Sequence, residues 1–238
     1  MGRYINTGTK ITNTGAKKVF FNANASGTAQ TWTVPDGITC ATFEIWGGGG
    51  AGSPSCCCTC YGGEGGSGGA YSLKTIPVTP GSTYQVYVGQ GGCGNQCWFN
   101  GNACGCYGCK SYVTGTGLSN FCADGGVGGG WCNAIGTASP PAAYGGDVNL
   151  SGLRPFKANT CNWSGCTGFS SGGPSPFGGG LNINPGGVGS ASHLFNCGLT
   201  GAFPGGGSPG KTMFRDGWCD CCQGCTGGGA DGLVIITI

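Results

Sequence analysis

The chain has 238 residues, a formal net charge of +2 and a sequence isoelectric point near 7.8, with charged residues at only 8%. This balance offers no basic stripe for a phosphate backbone, so nucleic acid is excluded as an expected partner. Glycine supplies 57 residues and proline 12, a proportion usual in low-complexity chains; the 11% of aromatic residues and the scarcity of charge nevertheless argue for ordered glycines.

In chain order, residues 1–30 form a Thr-, Asn- and Gly-rich arm around one apolar cluster, Val19-Phe20-Phe21, which predicts an edge strand after an attachment arm or a frayed terminus. A strand is expected over Thr31–Val34, ended by Pro35-Asp36-Gly37, where proline pre-sets φ and glycine accepts the left-handed corner. Ile38–Trp46 follows as its hairpin partner or as the next strand of a sandwich. Ala41, Phe43 and Ile45 alternate with Thr42, Glu44 and Trp46, as in a half-buried antiparallel strand. After Trp46, Gly47–Gly50 can pack no side chain, so the chain leaves the sheet there.

A first glycine-cysteine excursion, Ala51–Gly69, returns as a strand at Ala70–Val78. Thr79-Pro80-Gly81-Ser82 turns the chain into Thr83–Gly89, and two β-rich runs about a Pro-Gly turn predict a hairpin. The closing strand is GLVIITI, residues 232–238. The reading is all-β: an antiparallel sandwich over 31–238, with scaffold strands in 31–46, 70–89 and 232–238 and a glycine- and cysteine-rich insertion over 90–231, free of amphipathic helix and of long strands. Runs such as 125–130, 178–180, 186–187 and 227–229 can form polyproline-type polyglycine helices with three residues per turn, or else flexible loops held by disulfides.

The cysteines carry most of the chemistry. All 19 are disulfide candidates: Cys40, Cys56, Cys57, Cys58, Cys60, Cys93, Cys97, Cys104, Cys106, Cys109, Cys122, Cys132, Cys161, Cys166, Cys197, Cys219, Cys221, Cys222 and Cys225. Their clustering predicts bridges between clusters distant in sequence, and the odd count leaves at least one thiol free or paired between chains, so a homo-oligomer stays open. The alternative is metal, since Cys57/Cys60, Cys106/Cys109 and Cys222/Cys225 have the Cys-x-x-Cys spacing of zinc or iron–sulfur ligands. The disulfide reading is preferred, and no cofactor is expected.

Other signals are weaker. Gly205 to Thr212 fits a phosphate-loop pattern but lacks both the strand before it and the helix after it. His193 is the only histidine and no carboxylate pair is evident, so no catalytic residue and no enzyme are expected. Trp98, Phe99, Trp131, Trp163 and Trp218 lie where glycine cannot bury them and are candidates for surface contact. Packing within the insertion is the alternative.

TVPDG, IWGGGG, GGAYSLKTIPVTPGSTYQVYVGQGG and the closing GGGADGLVIITI together resemble the glycine-rich domain of phage tail fibres and related virion structural proteins. The resemblance implies a β-sandwich bearing a glycine-rich insertion; in receptor-recognising tail-fibre tip adhesins the insertion becomes packed polyglycine helices with variable loops. No run is long enough to span a membrane, and the polar MGRYINTGTK lacks a hydrophobic export signal, whereas 19 cysteines suit an oxidising setting. A virion, made in the host cytoplasm and working outside it, reconciles the two. The expected function is a tail-fibre or tail-tip component binding other virion proteins and a host surface glycan or protein receptor. Alternatives are a capsid-surface decoration or cement protein and a cysteine-ligated metal-binding virion protein.

Overall fold

A computed structural model describes residues 17–24, 27–53, 63–94, 105–130, 140–162, 165–178, 183–184, 199–210 and 226–238. The described residues contain thirteen strands and no helix. They are β1 Lys18–Asn22, β2 Gln30–Thr33, β3 Cys40–Trp46, β4 Tyr71–Pro77, β5 Thr83–Tyr87, β6 Ser111–Thr114, β7 Cys122–Ala123, β8 Ala143–Tyr144, β9 Val148–Leu150, β10 Lys157–Asn162, β11 Gly165–Ser171, β12 Ile183–Asn184 and β13 Leu233–Thr237.

Two antiparallel five-stranded sheets face each other. One has the order β1-β13-β3-β4-β9, the other β2-β5-β6-β7-β8. Period-two alternation explains the packing: Ala41, Phe43 and Ile45 of β3 are all but fully buried, joined by Val234 and Ile236 of β13. From the opposite sheet come Trp32, Tyr84, Val86 and Val113. Phe43 sits at the centre, with ring centroids 5.7 Å from Trp32, 5.3 Å from Tyr84 and 6.4 Å from Phe121. The Tyr84 hydroxyl escapes the apolar interior by donating to the Thr116 carbonyl at 3.0 Å.

Val19-Phe20-Phe21 is an edge strand as expected: among the described residues β1 pairs only with β13, Phe21 inward and Phe20 exposed. Two expectations fail. The runs around Thr79–Ser82 are not a hairpin, because β4 pairs with β3 and β9 while β5 pairs with β2 and β6. The turn is an arch between sheets, with Gly81 at φ +81° and its N–H donating to Val34. Similarly, Pro35-Asp36-Gly37 carries the chain from β2 in one sheet to β3 in the other. The insertion is also richer in strands than its composition suggests. It contributes β6, β7 and β8 to one sheet, β9 to the other, and a separate three-stranded sheet of β10, β11 and β12.

Candidate functional site

Beyond Trp46 the backbone is extended but joins no sheet, and its polar groups must find partners elsewhere. In residues 47–53 they find them with a period of three. The N–H groups of Gly47, Gly50 and Ser53 donate to the carbonyls of Ala70, Ser67 and Glu64 at 2.8–3.0 Å. Those of Gly48 and Ala51 donate to Cys109 and Cys106, and that of Gly49 to Ala230. The carbonyls repeat the pattern: Gly48 and Ala51 accept from Gly126 and Gly129, Gly49 from Gly92, and Gly50 from Ser208. Residues 47–53 are therefore a central strut, ringed by 64–70, 105–109, 124–130, 89–94, 201–210 and 226–232.

The ring is also bonded to itself. Ser67 and Ala70 donate to Val127 and Asp124, Gly105 and Gly108 to Gly129 and Gly126, Gly66 and Gly69 to Ser208 and Gly205, and Gly229 and Gly232 to Gly92 and Gly89. Such close packing of backbones requires glycine at the facing positions. A Cβ on Gly49 would lie 2.0 Å from the Gly206 carbonyl oxygen, where ordinary contact begins at 3.4 Å.

Buried serines bond what the backbone ladder does not. Ser208 Oγ accepts from Gly52 N–H and donates to the Gly227 carbonyl, both at 2.6 Å, and Ser67 Oγ accepts from Val127 N–H at 2.7 Å. Ser111 Oγ accepts from Gly89 and donates to the Trp46 carbonyl, joining the array to the strand below it.

The end of the array remote from the sandwich gathers the limits of several excursions. Ser53 Oγ donates to the Gly130 carbonyl at 2.8 Å, while the carboxylate of buried Glu64 accepts from Gly130 N–H at 3.0 Å. Gly105 is bonded to Gly129, and Cβ atoms on Gly210 and Gly94 would meet the carbonyls of Gly63 and Thr226 at 2.3 and 2.0 Å. The chain thus departs and returns at this end around residues 54–62, 95–104, 131–139 and 211–225, which lie outside the described residues.

Most predicted site residues fall in those stretches. Trp98, Phe99, Trp131, Trp163 and Trp218 lie outside the described residues, as do Cys56, Cys57, Cys58, Cys60, Cys97, Cys104, Cys132, Cys197, Cys219, Cys221, Cys222 and Cys225. So do His193 and the Lys211-Thr212 end of the phosphate-loop match, whose glycines Gly205–Gly207 bond into the array. Of the described thiols, Cys40, Cys93 and Cys109 are exposed, Cys106 is half-buried and Cys122 buried; Cys40, Cys93, Cys109 and Cys122 are free. Burial first, then the Asp124 carboxylate, raise the Cys122 thiol pKa, with Lys110 acting in the opposite sense. Cys161 and Cys166 occupy opposed positions in the β10–β11 register. No group of three or more metal-ligating side chains occurs among the described residues.

Two aromatic groupings escaped the sequence reading. Tyr87 and Tyr112, paired across β5 and β6, stack at 4.2 Å with Lys110 Nζ 5.4 Å from the Tyr112 ring. On the outer face of the other sheet, Trp46 packs on Tyr71 and donates its indole N–H to the Pro176 carbonyl at 2.7 Å. Phe177 lies edge-on to Tyr71. Burial, then the hydrogen bond that Tyr71 donates to Glu44 at 3.0 Å, hold its hydroxyl well above the ordinary phenol pKa.

A family model described as a glycine-rich domain matches residues 23–238, and the chain belongs to that family. No curated protein matches it significantly.

Proposed function

We propose that this glycine-rich domain protein is a structural component of a virus particle, a tail-fibre or tail-tip part that touches the host through the remote end of its glycine array. The observation that carries the reading is the convergence there of Ser53, Glu64, Gly105, Gly130 and Gly210. Between such anchors run 54–62, 95–104, 131–139 and 211–225, which hold Trp98, Phe99, Trp131 and Trp218 and eleven of the cysteines. A scaffold that spends its ordered backbone on presenting several loops side by side suits recognition, and large aromatic side chains supply contact area at low entropic cost.

In this reading the segments around 47–53 are polyglycine helices of the polyproline II type. Three residues per turn and outward-pointing amides account for the period of three in their hydrogen bonds. The bundle is bonded backbone to backbone throughout, so the anchors at its remote end are fixed before contact, which lowers the ordering cost of binding. The partners are other virion proteins at the sandwich end and a host glycan or protein receptor at the loop end.

The test is binding of the purified protein to susceptible cells, compared with the Trp98→Ala, Trp131→Ala and Trp218→Ala variants. Removing a central aromatic anchor typically costs 2 kcal/mol or more, so at least one variant should bind roughly 30-fold more weakly while unfolding normally. Absence of cell binding, with the protein found on the capsid shell of imaged particles, would replace this reading by a decoration role.

A further inference from the structure

We propose that Cys161 and Cys166 form a disulfide that closes the β10–β11 hairpin one rung from its turn and fixes the register of the separate three-stranded sheet. The inference rests on the backbone pairing of that sheet and does not depend on host contact. β10 and β11 pair antiparallel from Lys157↔Ser170 to Asn162↔Gly165, with Cys161 directly opposite Cys166. Only residues 163 and 164 separate Asn162 from Gly165, so that pair closes a two-residue connection and exchanges both of its backbone hydrogen bonds. Opposed pairs alternate along an antiparallel ladder. Cys161 and Cys166 are therefore the next, non-hydrogen-bonded pair, in which Cα atoms lie about 4.5 Å apart and opposed residues approach most closely. A disulfide spans Cα separations of about 4.4–6.8 Å, so the backbone needs no rearrangement to admit it. The bridge is local, where the clustering of the cysteines along the sequence points to links between distant segments.

Little else in the hairpin specifies its register. A slip by one residue is penalised when it carries an apolar set to the wrong face, and here the strands KANTCN and GCTGFSS offer, besides the cysteines, one apolar pair, Ala158↔Phe169. The face on which Cys161 and Cys166 stand holds Asn159↔Gly168 and Lys157↔Ser170. At its root the hairpin is tied down: the N–H of buried Ser171 donates to the Phe156 carbonyl at 2.8 Å, and Gly210 N–H donates to Ser170 Oγ at 3.0 Å. The cysteine pair lies at the opposite end, where a covalent rung supplies the register that the residue pattern leaves loose.

Closure needs a two-electron oxidant, and a low-molecular-weight disulfide such as oxidised glutathione supplies it. One cysteine thiolate attacks the glutathione disulfide, releasing one reduced glutathione and leaving a mixed disulfide. The second thiolate then displaces the other glutathione, forming the Cys161–Cys166 bond; the two thiol protons end on the two reduced glutathiones.

The experiment equilibrates the full chain with oxidised glutathione, blocks residual thiols, and digests with trypsin and chymotrypsin without reduction. Cleavage after Lys157, Trp163 and Phe169 should yield ANTCNW and SGCTGF joined by one disulfide, located by fragment mass spectrometry. The link should persist in a Cys197→Ser variant, which removes the third cysteine between Lys157 and Lys211. Oxidation should also slow amide exchange at Thr160 and Thr167, the opposed pair next along the ladder, and should not do so in a Cys161→Ser variant. Cys161 and Cys166 recovered alkylated, singly glutathionylated or bonded to other cysteines would overturn the proposal, as would their retention as thiolates with a stoichiometric metal ion or exchange at Thr160 and Thr167 that ignores oxidation.

Discussion

Alanine at Gly49 tests whether the glycine array is held by backbone contact. The added Cβ would meet the Gly206 carbonyl oxygen at 2.0 Å and its carbon at 2.4 Å, both of them main-chain atoms that cannot rotate away. To restore ordinary contact the two struts must part by more than an ångström. That movement strains three bonds in one place: Gly49 to Ala230, Gly92 to Gly49, and Ala230 to Gly206. Overpacking of a tight interior costs about 1–3 kcal/mol, and a buried polar group left unsatisfied about 1–3 kcal/mol more. We expect a loss of about 3–5 kcal/mol, or roughly 6–20 °C in Tm for a chain of this size. Gly228→Ala is the control, since its Cβ would meet a single atom below 3.4 Å, the Gly92 carbonyl oxygen at 2.9 Å. Part of that strain is offset by about 0.4–1 kcal/mol of reduced unfolded-state freedom, so it should stay within about 1 kcal/mol of the parent. Urea unfolding followed by tryptophan fluorescence and by amide exchange at residues 48–51 reads both. Equal stability of the two variants would refute the packing argument.

Ser208→Ala should cost about 2–4 kcal/mol in the same assay, because it leaves the Gly52 N–H and the Gly227 carbonyl without their bonds inside the array. Tyr71 has a folded-state pKa raised by burial and by Glu44, so its contribution to stability is whole below pH 10, the ordinary phenol value, and is lost as pH rises beyond it. Tyr71→Phe should flatten that alkaline decline, and an ultraviolet phenolate titration of the parent should show one tyrosine ionising last. Full reduction should leave amide protection at Gly48, Gly49 and Gly50 intact, since these amides donate to the main-chain carbonyls of Cys109, Ala230 and Ser67; loss of protection there would assign the array's cohesion to cross-links.

The alternation in β3 was legible because burial follows residue by residue: Ala41, Phe43 and Ile45 point where period two puts them. The arch at Thr79–Ser82 was misread as a hairpin for a physical reason. In both cases two strands flank a Pro-Gly turn and aim alternate residues at one core, and only the long-range partners differ. The strand β6 was invisible because four residues, SYVT, place just Ser111 and Val113 inward amid glycine and cysteine. Tyr87 and Tyr112 were separable from the core by alternation, Tyr87 opposing Tyr84 and Val86 along β5, but their stacking depends on a pairing that no local pattern encodes. The glycine runs looked irregular because the requirement is not for runs. Along a strut with period three each residue meets a different neighbour, and Ala51, Ser67, Ala70 and Ser208 are fully buried where a small side chain fits.

The plan of the array is written in the order of the strands. β3 is flanked by β13 and β4, and its continuation 47–53 is flanked by 226–232, which leads into β13, and by 64–70, which leads into β4. From the opposite sheet, β5 runs on into 89–94, 105–110 leads into β6, and β7 runs on into 124–130, all reaching the same central strut. Two sheets packed face to face lie about 10 Å apart because side chains fill the space between them. Where the side chains shrink to hydrogen the two layers can close until backbone meets backbone, and strands of both sheets become neighbours of β3's extension. Glycine after Trp46, before Tyr71 and before Leu233 is therefore the device that converts a sandwich into a bundle. Among the described residues only 201–210 joins the ring without a sandwich strand beside it, through main-chain bonds of Gly205, Gly206 and Ser208 to Gly69, Ala230, Gly66 and Gly50 and through the Ser208 hydroxyl, which bonds Gly52 and Gly227 across the ring.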